Sequence, residues 1–321
     1  MRPVKWADDR GGFALIAVLL VLAFVAILGA EFAFSMRLEA TAARVYKENI
    51  IAGHLAEAAL EQAVREIVAD YAYVGLGDEK DRDADRDCPL VFYSRDRQPI
   101  KRLPRTNVPL GGGQFSYCIT DEESRVNLNN APPDRINRLL EAMGVERADR
   151  DVILDSLADW RDPNEEHRLN GAESEDTYLK MAVPYRSKNG NLDSSAELAQ
   201  IKGFTKLLLE GHDGKPGLLS LVTVVTQGTV NINTVGKEVA RALNVLDADF
   251  SDIEQTRRNG PFATASGKFA GRGFAVTSRT FRIEAQGLIE GQVRARLTAV
   301  VQKRTDQNGE TVVVREWSGV R

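Results

Sequence analysis

The sequence predicts an α+β protein: a long N-terminal helix that begins as a membrane span, an antiparallel sheet, and a large all-helical domain inserted between the sheet's strands. Three observations predict it. Phe13 to Ala30 (FALIAVLLVLAFVAILGA) carries no charge and no proline, and about 18 such residues reach the lower limit for crossing a hydrocarbon core of roughly 30 Å. Arg37 to Ala69 is also free of proline and rich in Ala, Glu, Leu and Arg, all good helix formers. Strand-like segments then lie on both sides of a stretch, Pro132 to Leu209, whose apolar residues follow helical spacing.

The first element is one helix from about Phe13 to about Asp70. Its first half is apolar all round. Its second half places Ile51, Leu55, Ala58, Ala59, Leu60, Val64, Ile67, Val68 and Tyr71 at three- and four-residue steps, a stripe suited to packing on a sheet. Before it, Met1 to Gly12 carries Arg2, Lys5 and Arg10, which keeps the short leader in the cytoplasm and sends the rest of the chain across. The apolar run is too long, uniform and terminal for a buried core helix. A cleaved secretory signal with its site near Gly29-Ala30 and the plain anchor of an unrelated protein are the competing readings.

Asp78 to Cys88 is a mixed-charge connector in which Asp81, Asp83, Asp85 and Asp87 alternate as in a calcium loop. It lacks the mid-loop glycine and closing glutamate of an EF-hand, and arginines are interleaved, so a solvated connector is the favoured reading. Leu90 to Tyr93 and Gln114 to Thr120 read as strands, with Gly111-Gly112-Gly113 between them. Pro133 and Asp134 open a helix carrying Ile136, Leu139, Leu140 and Met143 and closing at Gly144; Ala148 to Trp160 forms another, and Ser194-Ser195 cap a short one ending at Gly203. Val126-Asn127-Leu128-Asn129-Asn130-Ala131 recurs as Val230-Asn231-Ile232-Asn233-Thr234-Val235, each copy followed by a helix. The spacing predicts an end-of-strand turn whose second Asn caps that helix. Thr280 to Gly287, Val293 to Ala299 and Thr311 to Trp317 return to strands, joined by turns at Glu290-Gly291 and Asn308-Gly309.

The 321-residue chain has a net charge of −4, so its overall balance argues against nucleic acid as a partner. A helix-hairpin-helix reading of the Asn-x-Asn units fails on charge, because Gly144-Val145 is followed by Glu146, Asp149 and Asp151. No nucleophile elbow, phosphate loop or dinucleotide fingerprint is present. His54 falls on the long helix, while His167 and His212 fall in loops. The reading is therefore a protein without catalytic residues. Cys88 and Cys118 are the only cysteines; outside the cytoplasm they can form a disulfide or remain as two buried thiols.

The order of these pieces resembles the general secretion pathway protein K family, the minor pseudopilin K of bacterial type II secretion systems. The residues that carry the resemblance are Gly12-Phe13 before the apolar helix, Asp121-Glu122 leading into Val126-Asn127-Leu128-Asn129, and Asp159-Trp160-Arg161-Asp162. Asn170-Gly171-Ala172-Glu173 with Tyr178, Glu197-Leu198 with Gly203, Val230-Asn231-Ile232-Asn233-Thr234 and Phe281-Arg282-Ile283 continue it nearly to the end.

The resemblance implies a leader over 1–12, a transmembrane helix over 13–35, and a pseudopilin-like helix-plus-sheet domain from 36–126 and 227–321. The inserted helical domain is 127–226, with 227–260 assignable to either. It also implies cleavage by prepilin peptidase between Gly12 and Phe13, methylation of the new N-terminus, and a single-pass inner-membrane protein with a cytoplasmic N-terminus and a periplasmic domain. Partners would be minor pseudopilins I and J and the major pseudopilus subunits. The function implied is a tip complex that starts the pseudopilus for export across the outer membrane. Pseudopilins commonly carry Glu at the fifth mature position, where it offsets a neighbour's N-terminal ammonium; that position is Ala17 here, which suits a subunit with no neighbour above it.

Calcium binding in the soluble region is a further implication. The oxygen-rich loop Asp159 to Tyr178 is its candidate location, with Asp162, Glu173 and Asp176 as candidate ligands. A minor type IV pilin and a calcium-stabilised periplasmic binding module on a plain anchor are the alternatives.

Overall fold

The structure is a computed structural model and describes residues 10–77, 88–307 and 309–319. Residues 1–9 of the expected leader over 1–12, the alternating Asp81, Asp83, Asp85 and Asp87, and Asn308 of the expected second hairpin turn lie outside the described residues. Helix α1 runs unbroken over Arg10–Val68, about 88 Å at 1.5 Å per residue. Among the described residues nothing covers its apolar first part. From Ala52 onward one face is buried by Ala52, Leu55, Ala56, Ala59, Leu60, Ala63 and Ile67. Alanines dominate that stripe because the helix lies directly on strand backbone. A Cβ at Gly287 would stand 1.9 Å from the carbonyl oxygen of Ala52, so only glycine permits this approach.

The strands are β1 (Tyr73–Leu76), β2 (Leu90–Tyr93), β3 (Val108–Leu110), β4 (Gly113–Asp121), β5 (Val126–Asn127), β6 (Gly211–His212), β7 (Lys215–Pro216), β8 (Val222–Thr223), β9 (Val230–Asn231), β10 (Phe274–Ala275), β11 (Thr280–Ile289), β12 (Gln292–Asp306) and β13 (Gly309–Gly319). The main sheet has the order β13-β12-β11-β4-β3 and every pairing in it is antiparallel. Glu290 and Gly291 link β11 to β12 with φ of 52° and 74°, the conformation a two-residue type I′ hairpin demands. Ile119, Phe281, Ile283, Ala285, Ala299 and Val301 form one apolar cluster with α1. Burying each large member is worth about 1.5–3 kcal/mol.

Asp121, the last residue of β4, stands opposite Phe281 of β11. The chain therefore leaves the sheet where a hairpin turn would serve and returns beside its point of departure. Between them lie α2 (Pro133–Ala142), α3 (Arg147–Arg161), α4 (Lys206–Glu210), α5 (Lys237–Ala242) and α6 (Asp247–Arg258). A second apolar cluster runs from Val126 to Phe269. The stretch 227–260 thus packs with the helical block, and the block reaches past residue 226.

The two Asn-x-Asn copies end the short strands β5 and β9, which pair in parallel with β8 and β10. Leu128 and Ile232 point inward and are buried. Each first Asn turns its own backbone: Asn127 Oδ1 accepts from Asn129 N at 2.7 Å, and Asn231 Oδ1 from Asn233 N at 2.9 Å. The second Asn does not cap a helix. Pro132 and Gly236 hold the cap positions of α2 and α5 without any side-chain bond. Asn129 instead exchanges hydrogen bonds with the backbone of Leu192, and Asn233 with that of Phe262. Each asparagine lies before the helix cap, and its amide satisfies the backbone of a remote loop that has no sheet partner.

Candidate functional site

The first candidate site is the start of α1. Gly12 and Phe13 lie in its opening turns, and Phe13 is exposed. Ala17 is one turn further along the same face and also exposed. It offers no acceptor for an amine at residue 13. Glu31 is the one ionisable residue between Phe13 and Met36.

The far end of α1 carries the inserted block. Tyr71 Oη donates to Ser278 O at 3.4 Å and Lys303 Nζ to Ala69 O at 2.7 Å, whereas the opposite end of the sheet touches Arg44 and Glu48 through Glu290 and Arg294. The block therefore attaches at the end remote from the apolar span. Asp121 is the joint. Its carboxylate accepts from Ser278 Oγ and Thr234 Oγ1, both at 2.6 Å, from Asn231 Nδ2 at 3.0 Å and from Glu123 N at 2.8 Å. Asn231 Nδ2 also donates to Val74 O at 3.2 Å, tying the block to β1. Burial pushes Asp121 above the usual carboxylate range. Burial, followed by the charge of Asp121, raises Glu123 to about 7. The sequence offers Asp121 and Asn231 only as motif letters, since they are separated by 110 residues.

The second candidate is the acidic loop after α3. Buried Asp159 accepts from Arg168 Nη1 at 2.6 Å, Arg168 N at 3.1 Å and Ala172 N at 3.0 Å. A Cβ on Gly171 would fall 1.8 Å from its Oδ2, so a glycine there makes room for the carboxylate. Asp162 is engaged by Arg168 Nη1 at 2.7 Å and Asn164 Nδ2 at 2.7 Å. Asp176 accepts from Glu173 N at 2.9 Å and faces His167 at 3.5 Å. Glu173 is buried, and its Oε2 accepts from Ser187 Oγ at 2.6 Å. Burial first, then the charges of Asp159, Glu165 and Asp162, push its carboxyl up.

Asp162, Glu173 and Asp176 do not gather at one point: among the described residues no three His, Cys, Asp or Glu side chains converge as a metal cluster. Two buried oxygens in the loop nevertheless have no hydrogen-bond donor, Glu173 Oε1 and Asn189 Oδ1. A chain of side chains joins them: Glu173 to Ser187, Ser187 to Ser174 at 2.7 Å, Ser174 to Glu165 at 3.5 Å, and Asn189 Nδ2 to Glu165 at 3.1 Å. Unsatisfied hard oxygens of this kind fit Ca²⁺. Of the three candidate acids, Glu173 alone carries such an oxygen.

The sulfurs of Cys88 and Cys118 are bonded, with their Cα atoms 5.3 Å apart. The link fastens the chain entering β2 to β4.

Residues 119–211 match the family model described as type II secretion system (T2SS), protein K. A type II secretion system protein K relative from Escherichia coli (strain K12) is 26% identical over 271 residues, covering 78% of this chain and 76% of its own. The type II secretion system protein K of Pseudomonas aeruginosa is 26% identical over 254 residues, covering 74% and 69%. A chain in the crystal structure of the GspK-GspI-GspJ complex from enterotoxigenic Escherichia coli shares the fold, with a TM-score of 0.55 at 18% identity over 68% of this chain and 84% of that one. The family domain, relatives aligned along about three quarters of the chain, and the fold agree with the residue-level resemblance: residues 119–211 match the type II secretion system protein K domain, in a chain that is similar to proteins of that name along most of its length.

Proposed function

We propose that this chain is a minor pseudopilin that forms the tip complex of the type II secretion pseudopilus and initiates its assembly for protein export across the outer membrane. One observation carries the reading: the inserted block is attached at the end of α1 remote from the apolar span. A subunit adding above would meet that block, so the chain suits the end of a filament and not its middle. Ala17 supports the same position, because it cannot neutralise a neighbour's N-terminal ammonium. The uncovered apolar half of α1 supports a single-pass inner-membrane anchor with a cytoplasmic N-terminus and a periplasmic domain.

The solved complex of a fold relative contains GspI and GspJ, which supports minor pseudopilins I and J as partners here. Major pseudopilus subunits and prepilin peptidase complete the set. The steric account is tested by excising Glu122–Thr280 and closing β4 to β11 with an Asn-Gly turn. The variant should enter the length of the fibre, and continued restriction to the tip would overturn the account. Processing is tested by mass spectrometry of the mature N-terminus, which should begin at a methylated Phe13; a chain beginning at Met1 would mean a plain anchor.

The calcium reading rests on the donorless oxygens of Glu173 and Asn189. Calcium would be held by Glu165, Glu173 and Asn189 and would offset the burial, and after it the neighbouring negative charge, that push Glu173 up. Titration of Ca²⁺ should raise the unfolding temperature of the wild type and leave Glu173→Gln unmoved; no rise in the wild type would sink it.

A further inference from the structure

A cavity of about 590 Å³ lies where the C-terminal hairpin meets the inserted block. Asn130 and Gln227 line it from the block, and Arg279, Lys303, Arg304 and Arg315 line it from the sheet side; none of its lining residues is acidic. The chain as a whole is acidic, with a net charge of −4, so this concentration of cations runs against its composition.

The arginines are not consumed by the fold. Arg315 Nη2 and Nε reach Gln302 Oε1 at 2.6 and 3.2 Å, and Arg304 Nη2 reaches the same neutral oxygen at 3.5 Å. Among the described residues no carboxylate forms an ion pair with Arg279, Arg304 or Arg315, whereas Lys303 is held by Ala69 O, the Tyr71 ring and Glu310. The strand is irregular to this end. Val300 pairs with Glu316 and Val301 with Val314, leaving Arg315 as the extra residue of a bulge, a device that re-aims a side chain.

Two guanidinium groups that share one neutral amide keep most of their donors for bidentate carboxylate binding. The cavity is too wide for one small anion to touch all of its cations. It sits beside Ala69, about 50 Å along α1 from the end of the apolar span, so headgroups of the chain's own membrane are out of reach. We propose that this pocket is the docking site for an acidic polypeptide segment of a partner protein, with Arg304 and Arg315 as its principal contacts. The proposal goes beyond the assembly reading; it uses the anchor only to set aside lipid.

The test uses the full chain in neutral detergent and a fluorescein-labelled hexaglutamate peptide, followed by anisotropy. Wild type should bind saturably, and binding should weaken steeply as salt rises. Arg304→Glu/Arg315→Glu should weaken it by about tenfold or more, while Arg95→Glu/Arg147→Glu, two exposed arginines elsewhere, should not. Arg304→Gln/Arg315→Gln gives the same comparison if the charge reversal unfolds the chain, judged by its unfolding temperature. Inorganic phosphate should compete no better than chloride at equal ionic strength. No saturable binding, equal loss in the control pair, or displacement by phosphate would each overturn the proposal.

Discussion

The sheet with α1 and the inserted block solve the problem of a stable interior in different ways. The sheet core is dry: Ile119, Phe281, Ile283 and Ala299 meet an alanine stripe on α1, and its backbone polar groups are satisfied by ladders. Among the described residues its one ion pair with both side chains buried is Arg105 with Glu66, at 2.6 and 3.2 Å, supported by Tyr117. The block has short helices and two-residue strands, so many of its backbone groups lack a regular partner. Buried side chains, Asn127, Asn231, Asn233 and Asp159, and the half-buried Asn129 supply the missing bonds. Where periodic structure runs out, polar residues take over the work that ladders do elsewhere, and the joint at Asp121 is built in the same manner.

That contrast can be broken in four places. The largest effect is expected in the dry core. Arg105→Met leaves Glu66 buried without its cation and should cost about 4 kcal/mol in denaturant unfolding; a loss under about 1 kcal/mol would mean the pair is solvated. Next, Asp121→Asn brings two donors to a site already ringed by donors, and should cost about 3 kcal/mol. Limited proteolysis should then release the block before the sheet; simultaneous digestion would deny that Asp121 is the joint.

Third, pH should act on the joint. Glu123 is raised from 4.5 to about 7 in the fold, so between those values the folded state holds more protons than the unfolded one. Stability then falls as pH rises through this window, by about 2 kcal/mol after allowance for partial exposure, and Glu123→Gln should flatten the profile. An unchanged slope in that variant would remove Glu123 from the account. The smallest effect is Tyr178→Phe. Tyr178 Oη accepts from Lys202 N at 3.3 Å and burial pushes its phenol up to about 12; losing it should cost about 1 kcal/mol.

The same division governs what could be read from the residues alone. The apolar span, α1, α2, α3 and the long C-terminal strands follow period 3.6 or 2, and each stands close to its expected place. The burial stripe of α1 was harder to read, because Ala52, Ala56 and Ala63 carry little hydrophobic signal although close packing selects them. Four-residue β1 and α6, with only Phe250 and Ile253 buried, are too short or too polar to show a period. The acidic loop after α3 illustrates a further limit. Spacing brings forward Asp162 and Asp176, but Arg168 folds back onto Asp162 and a backbone amide takes Asp176. Glu165 and Asn189 are 24 residues apart, and only the tertiary fold joins them.

We propose that this chain assembles as one member of a small complex at the end of a pseudopilus. The most direct test is co-expression of the chain with the I- and J-type minor pseudopilins of its own system, with membrane extraction and size-exclusion chromatography. The account predicts a ternary complex of fixed stoichiometry that contains this chain. Elution of the chain alone, while the other two remain paired, would contradict it.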